Sequence, residues 1–372
     1  MKVTLVCPFS FGVTSTRLLQ NLSKGLRENG FEVVFVSLFA SDENVRALQP
    51  FGTVYTSHIL NTMPRGSVVK DWLFNSISRE LLHLFRKYRH ELRNSVGMLV
   101  TSAFGGELAL VESRREGIFL SIGWFYDNPP GILDFSSKLA RIGRTQWENS
   151  AFDLLSSLTP LLSRHFRIVQ DFDFVVASTR WVANVLYYMI GCEVDDVIYP
   201  PIDTEVFKHV PSRESVFGGK WCLSVGGKYE IRAQDIRNLT RKVAVVRAGQ
   251  DPIDGAMNMG YASNEQLISL YSSAYLTLFP TLFEPAGYIP LESMACGTPV
   301  LTYAWQGPGE TVKNNKTGWV VSTREEFSEM ALRIWNEGYD PNIRKDCREY
   351  VIENFGVKKA SEKLSKIIKK HC

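Results

Sequence analysis

No stretch of the chain approaches the ~18 to 20 consecutive apolar residues that a helix needs to cross a bilayer, so membrane contact, if any, is expected at the surface only. The six cysteines, Cys7, Cys192, Cys222, Cys296, Cys347 and Cys372, form no CxxC pair and no Cys/His grouping at zinc spacing. A reducing, cytoplasmic setting without a structural metal follows as the expectation. Excess charge of one sign is missing too: 42 Lys and Arg against 39 Asp and Glu leave +3, which gives no whole-chain case for a nucleic-acid partner. Short-period repeats and low-complexity segments are absent. The apolar opening MKVTLVCPFSFGV runs into the amphipathic TSTRLLQNLSKGLRENG without a small-residue cleavage site, so it reads as a first strand and not as a secretory leader.

What is there is a chain of 372 residues, 45% hydrophobic and 22% charged, long enough for two domains. KVTLVC, a helical pattern over 15–28, a stop at Gly30 and the apolar FEVVFVS make a strand–helix–strand unit, the building block of parallel sheets. The alternation continues through VGMLVTSAF, GIFLSIGWF and FDFVVAST. Pro200 and Pro201 in VIYPPIDTEVF then interrupt it, since neither continues a helix or a central strand. It restarts with KWCLSVGG, KVAVVRAG, AMNMGY, YLTLFPT, TPVLTYA and GWVVS, with helical patterns at 263–273, 288–296 and 323–337. The prediction is an α/β fold of two Rossmann-like, doubly wound parallel-sheet domains facing a central cleft. Domain one spans 1–198, domain two 199–354, and a helix over 355–372 crosses back to the first. Ligands of such sheets bind beyond the carboxyl ends of the strands.

The segment FEPAGYIPLESMACGTPVL places Glu284 and Glu292 around Gly287 and Pro290, directly before an apolar strand. With Pro290 in the first helical turn, the preceding loop lies at a helix N-terminus, an anion site worth ~0.3 to 1 kcal/mol when exposed. Gly287 would let a phosphate approach the backbone. Carboxylates there can accept from vicinal sugar hydroxyls in charge-assisted hydrogen bonds of about 1.5 to 3 kcal/mol each. The plainer reading makes Glu284 a solvated loop residue and Glu292 a first-turn acid that complements the helix dipole.

The same segment resembles the donor-site signature of the retaining glycosyltransferases of family four, which have the GT-B fold. That signature runs E-P-x-G-x-x-x-x-E-x-M-x-x-G-x-P-V, and Glu284, Pro285, Gly287, Glu292, Met294, Gly297, Pro299 and Val300 match all its fixed letters. DFVVASTRWVANVL, YPPIDTEVF, LISLYSSAYLTLFPT and GPGETVKNNKTGWVV are similar to segments of that family in the same order, most strongly over 256–322. The resemblance implies transfer of a sugar, of the hexosyl class, from a nucleotide-sugar (UDP-, GDP- or ADP-linked) to a sugar or lipid-linked acceptor, with retention. It also implies that Glu284 contacts the donor sugar, Glu292 the ribose, and the backbone of Gly287, Tyr288 and Ile289 the sugar and diphosphate.

Cleaving the sugar–diphosphate bond develops negative charge that needs fixed positive charge or a metal. In SVGGKYEIRAQD, Gly227 stands where the family has an arginine, Lys228 follows, and Arg232 stands where a lysine is usual. Lys228 and Arg232 are assigned to the diphosphate, beside a solvated-loop alternative, and no divalent metal or other cofactor is expected. Gly12, after the first strand, would approach the diphosphate or the acceptor from the opposite domain, as a donor-binding residue, or simply make a turn. Tyr126 and Asp127 occupy the acceptor-side position where the family often has histidine next to aspartate. Asp171 and Asp173 in DFD precede their strand and are read as surface residues rather than metal ligands. RELLHLFRKYRHELR, 79–93, is a basic amphipathic helix open to either membrane-surface contact or ordinary packing, and the lysine-rich tail is a second. Two other readings stay open: a nucleotide-sugar epimerase on the same architecture, and a non-catalytic nucleotide-sugar-binding protein.

Overall fold

Near-continuous apolar runs alternating with amphipathic helices suit a parallel sheet covered on both faces, and the chain builds two such sheets. The structure is a computed structural model that describes residues 1–7, 9–10, 13–40, 42–57, 77–100, 106–116, 119–125, 167–210, 219–226, 233–249, 251–281 and 284–371. One unit comprises Met1–Pro201 with Ala360–Cys372, and the other Ile202–Lys359.

The first unit contains β1 (Lys2–Val6), β2 (Phe9–Ser10), α1 (Val13–Glu28), β3 (Glu32–Ser37), β4 (Phe39–Ala40), α2 (Asp42–Leu48) and β5 (Thr53–Thr56). It continues with α3 (Ile77–Lys87), α4 (Arg89–Leu92), β6 (Ser95–Val100), α5 (Gly106–Arg115), β7 (Phe119–Phe125), β8 (Phe174–Ala177), α6 (Arg180–Ile190) and β9 (Asp196–Val197). Seven strands form a parallel sheet in the order β5-β3-β1-β6-β7-β8-β9. The winding reverses between β1 and β6, the position where doubly wound sheets open a crevice.

Leu81, Phe85 and Leu92 are fully buried with Val34, Val36 and Leu99, and Tyr55 stacks on Tyr88 at 4.1 Å between ring centroids. The apolar stripe of 79–93 is therefore spent on the core. Of its basic side chains, Arg86 makes a two-point pair with Glu116 at 2.5 and 3.2 Å, and Arg89 donates to the Glu116 carbonyl at 3.0 Å. Asp173 pairs with Arg114 at 2.6 Å and Asp171 lies 4.0 Å from Arg115, so the DFD acids tie α5 to the entry of β8.

The second unit contains β10 (Cys222–Val225), α7 (Ala233–Leu239), β11 (Val245–Ala248), β12 (Met257–Gly260), α8 (Asn264–Ser273), β13 (Leu276–Phe279) and α9 (Tyr288–Ala295). Then follow β14 (Val300–Tyr303), α10 (Gly307–Thr311), β15 (Gly318–Val321), α11 (Arg324–Glu337), α12 (Asn342–Phe355) and α13 (Val357–His371), the last of which carries the chain back into the first unit. The parallel sheet runs β12-β11-β10-β13-β14-β15 and reverses its winding between β10 and β13. α8, α9 and α11 lie within one residue of the expected spans at each end. α8 starts with a Ser263/Gln266 capping box, and Thr323 caps α11 by accepting from the Glu326 N–H.

α12 was not anticipated. Its buried residues Ile343, Cys347, Val351 and Phe355 make a stripe one residue wide in an otherwise charged segment, too narrow to stand out as an amphipathic helix. It supplies the C-terminal caps of its neighbours. Arg344 donates to the carbonyls of Ser272 and Ala274 at the end of α8, at 2.7 and 2.9 Å, and Arg348 to that of Ala295 at the end of α9, at 2.9 Å.

Candidate functional site

Because β10 and β13 are paired neighbours on opposite sides of the reversal, the loops leaving their carboxyl ends start side by side. One begins at Gly226; the other runs from Pro280 to α9 and holds Glu284. A buried arginine fixes the start of the first, and a buried aspartate ties α7, the next described element, to β14 and α11. Arg247, 2% exposed, donates from Nη2 to the Gly226 carbonyl at 2.7 Å and from Nε to the Asp251 carbonyl at 3.3 Å. Asp235, 1% exposed in α7, accepts from the Tyr303 hydroxyl at 2.8 Å and from Arg324 Nε at 2.7 Å. That bond holds the Arg324 guanidinium above its ordinary value.

The second loop closes on itself. Gly287 is the N-cap of α9 with φ 78° and ψ 81°, a left-handed conformation that favours glycine. A Cβ there would meet Pro308 Cγ at 2.7 Å and Pro290 at 3.3 Å. The two prolines fill the space on the side where a Cβ would stand, so packing as well as backbone conformation calls for glycine here. The helix starts at Tyr288, so Pro290 is its third residue, still within the turn whose N–H groups lack intrahelical partners. Tyr288 is buried and Ile289 half-buried.

Glu284 is half-buried and folded onto this turn, its Oε1 accepting from the Gly287 N–H at 2.9 Å and the Ala286 N–H at 3.5 Å. Its own N–H donates to Gln306 Oε1 at 3.0 Å, and its carbonyl accepts from the Gly307 N–H at 2.9 Å. Gln306, 1% exposed, also exchanges hydrogen bonds with the Thr281 hydroxyl at 3.1 and 3.3 Å and donates to Thr302 Oγ1 at 3.4 Å. Gly307 has no alternative, because a Cβ would sit 2.0 Å from the Pro285 carbonyl oxygen.

Glu292 is 2% exposed, on the second turn of α9, with the Tyr271 hydroxyl donating to its Oε2 at 3.3 Å. Its place on the second turn does not fit the plainer reading of a first-turn acid that complements the helix dipole. Burial, and then the negative charge of Glu292, push the nearby Cys296 thiol up to about 12. A carboxylate enclosed in this way is costly unless partnered, which marks the position as more than a surface choice.

Of the residues singled out from sequence, Glu284, Gly287, Tyr288, Ile289 and Glu292 come together on this one turn and helix. Lys228, Arg232, Gly12, Tyr126 and Asp127 lie outside the described residues. Sequence reasoning missed Gln306, Tyr271 and Pro308. The glycines flanking Gln306 and Pro308 in WQGPGE were a usable signal of tight packing; Tyr271, one apolar-face residue of an amphipathic helix, offered none.

Residues 253–354 match the family model of glycosyl transferases group 1. Over 112 residues the chain is 32% identical to a probable sucrose-phosphate synthase of Thermosipho melanesiensis, covering 29% of this chain and 26% of that protein. The chain thus spans only about a quarter of the length of the first curated relatives it matches. Among solved structures, the sucrose-phosphate synthase of Thermosynechococcus elongatus superposes with a TM-score of 0.78 at 14% identity, over 100% of this chain and 98% of that one. Anabaena Alr3699/HepE in complex with UDP-glucose superposes with a TM-score of 0.71 at 13% identity, over 100% of both. The chain thus has two parallel-sheet units that share the GT-B fold, and within the second of them residues 253–354 match the glycosyl transferases group 1 model.

Proposed function

We propose that the protein is a retaining, metal-independent glycosyltransferase that takes a sugar from a nucleotide-sugar and passes it to a sugar or lipid-linked acceptor. The observation that carries this reading is the buried carboxylate of Glu292 one turn behind the helix N-terminus that Glu284 closes. Two acceptor groups on one short helix and its entry loop suit a ligand with hydroxyls at both ends and an anion between them. In this reading Glu292 holds the ribose hydroxyls. Glu284 exchanges its bond to the Gly287 N–H for the hydroxyls of the donor sugar, which releases that N–H to the diphosphate. Lys228 and Arg232, which follow β10 in the sequence, neutralise the leaving group. Gly12 belongs with the donor-binding residues, and Tyr126 and Asp127 to the acceptor side. The UDP series is the first candidate, on the likeness to a fold seen with UDP-glucose.

A thermal-shift panel of UDP, GDP, ADP and their sugar conjugates, run without metal on wild type and Glu292→Gln, tests the donor site. A ligand at about 100 times its dissociation constant adds roughly 2.7 kcal/mol of stability. Stabilisation by one nucleotide series, lost in the variant, supports the reading; indifference to every member refutes it. Nucleoside diphosphate release that depends on an added acceptor then separates a transferase from an epimerase or a binding protein.

A further inference from the structure

α13 buries one side and presents the other as lysine. Its buried side is Ala360, Leu364, Ile367 and Ile368. It is tied to the first unit by the Asn29 amide donating to Ser361 Oγ at 3.1 Å and by Lys363, which reaches the Val197 carbonyl at 3.1 Å and Asp196 at 3.6 Å. At about 100° per residue, Lys358, Lys369, Glu362, Lys366, Lys359, Lys370 and Lys363 follow one another around an arc of about 140°. All seven are exposed. Six lysines against Glu362, with Lys363 paired to Asp196, leave this face positive in a chain whose net charge is only +3.

We propose that the lysine face of α13 docks on an anionic lipid bilayer. The inference rests on this helix alone and holds whether or not the chain transfers a sugar. Clusters of about four to eight basic residues on an amphipathic helix are the pattern that anionic headgroups select. The 15 residues extend for about 22 Å, so the charges lie in a row that a planar surface can meet along its length. Lysine is a compact point charge without directional demands. Nucleic-acid sites that read or stack on bases add arginine forks and aromatic rings to such charges, and this face has neither.

The basic segment 79–93 is the weaker surface. Its apolar residues are inside the core, and Arg86 and Arg89 are engaged by Glu116. Because the apolar side of α13 is buried as well, adhesion there is electrostatic and without insertion. It should fall steeply as salt shortens the screening length from about 8 Å at physiological strength to about 3 Å at 1 M.

Vesicle flotation with the full chain tests this, using phosphatidylcholine alone and phosphatidylcholine mixed with phosphatidylglycerol. Binding to the mixed vesicles only, released by salt, is expected. In Lys359→Glu/Lys366→Glu/Lys369→Glu/Lys370→Glu, partitioning should drop by at least about a hundredfold. The exposed positions allow a melting curve to verify that this variant folds. Arg79→Gln/Lys87→Gln/Arg93→Gln should bind like wild type. Equal binding to both vesicle types, no binding to either, or undiminished binding by the α13 variant overturns the proposal. Retention of duplex nucleic acid in place of vesicles also overturns it and gives the face to a different partner.

Discussion

The Tyr271 hydroxyl points at Glu292 Oε2 across 3.3 Å, and both side chains are sealed from solvent, at 0% and 2% exposure. Tyr271→Phe deletes one donor to a buried acceptor and changes little else. A loss of about 1 to 3 kcal/mol is expected. Urea unfolding measures it directly, and Tyr271→Phe combined with Glu292→Gln should cost less than the two single changes added together, since they share one contact.

Gly287→Ala meets two obstacles at once, the left-handed φ of 78° and Pro308 Cγ at 2.7 Å from the new methyl group. The torsion alone costs about 1 to 2 kcal/mol. Adding Pro308→Ala should relieve the contact and leave the torsional part, so the double variant lands between wild type and Gly287→Ala in denaturant midpoint. Full recovery would mean that the backbone conformation carries no strain.

Gln306→Leu keeps the shape and removes both hydrogen-bonding ends. The Glu284 N–H loses its partner at 3.0 Å, and the Thr281 hydroxyl loses its exchange with the amide. Each unsatisfied group costs about 1 to 3 kcal/mol where water cannot replace the bond. Destabilisation should therefore be accompanied by faster amide exchange at Glu284 and Gly287. A stability loss with unchanged exchange there would show that Gln306 packs the strand end without holding the loop.

Burial pushes the thiols of Cys192, Cys222 and Cys296 up to about 11, 12 and 12, from an ordinary value of 9. The folded chain holds these protons more tightly than the unfolded chain. Their contribution to stability is therefore intact below pH ~9 and lost as pH rises from there toward ~12. Urea midpoints should fall across that window. At neutral pH the thiols stay protonated and enclosed, so alkylation of these three cysteines should follow unfolding; rapid labelling of the native protein would contradict the burial.

The second sheet could be read from sequence because its strands are short apolar runs cut apart by Gly, Pro and polar turns, and β12, β13 and β15 are each followed by a helix with a clear period. The turn carrying Glu284 was legible as a pattern of residue types, while its internal bonding was not: that Glu284 answers its own Gly287 N–H depends on Gln306, 22 positions away. Glu292 illustrates the same limit, since a glutamate in a helix reads as surface until Tyr271 covers it. The stripe of Leu81, Phe85 and Leu92 satisfies a core and a membrane interface equally well as a sequence, and only packing against β3 and β6 decides for the core. α12 escaped notice because burial every fourth residue leaves most of its surface charged.

α9 is fastened at both ends, by the turn that Gln306 holds at Gly287 and by Arg348 at Ala295, and Arg348 also grips the carbonyls of Thr204 and Phe207 at 3.2 Å. A short helix anchored in this manner has no frayed terminus from which to unzip. Its amide protons should exchange only when Ile202–Lys359 unfolds as a body, and a ligand seated at its N-terminus would slow exchange throughout that body and not only beside the ligand.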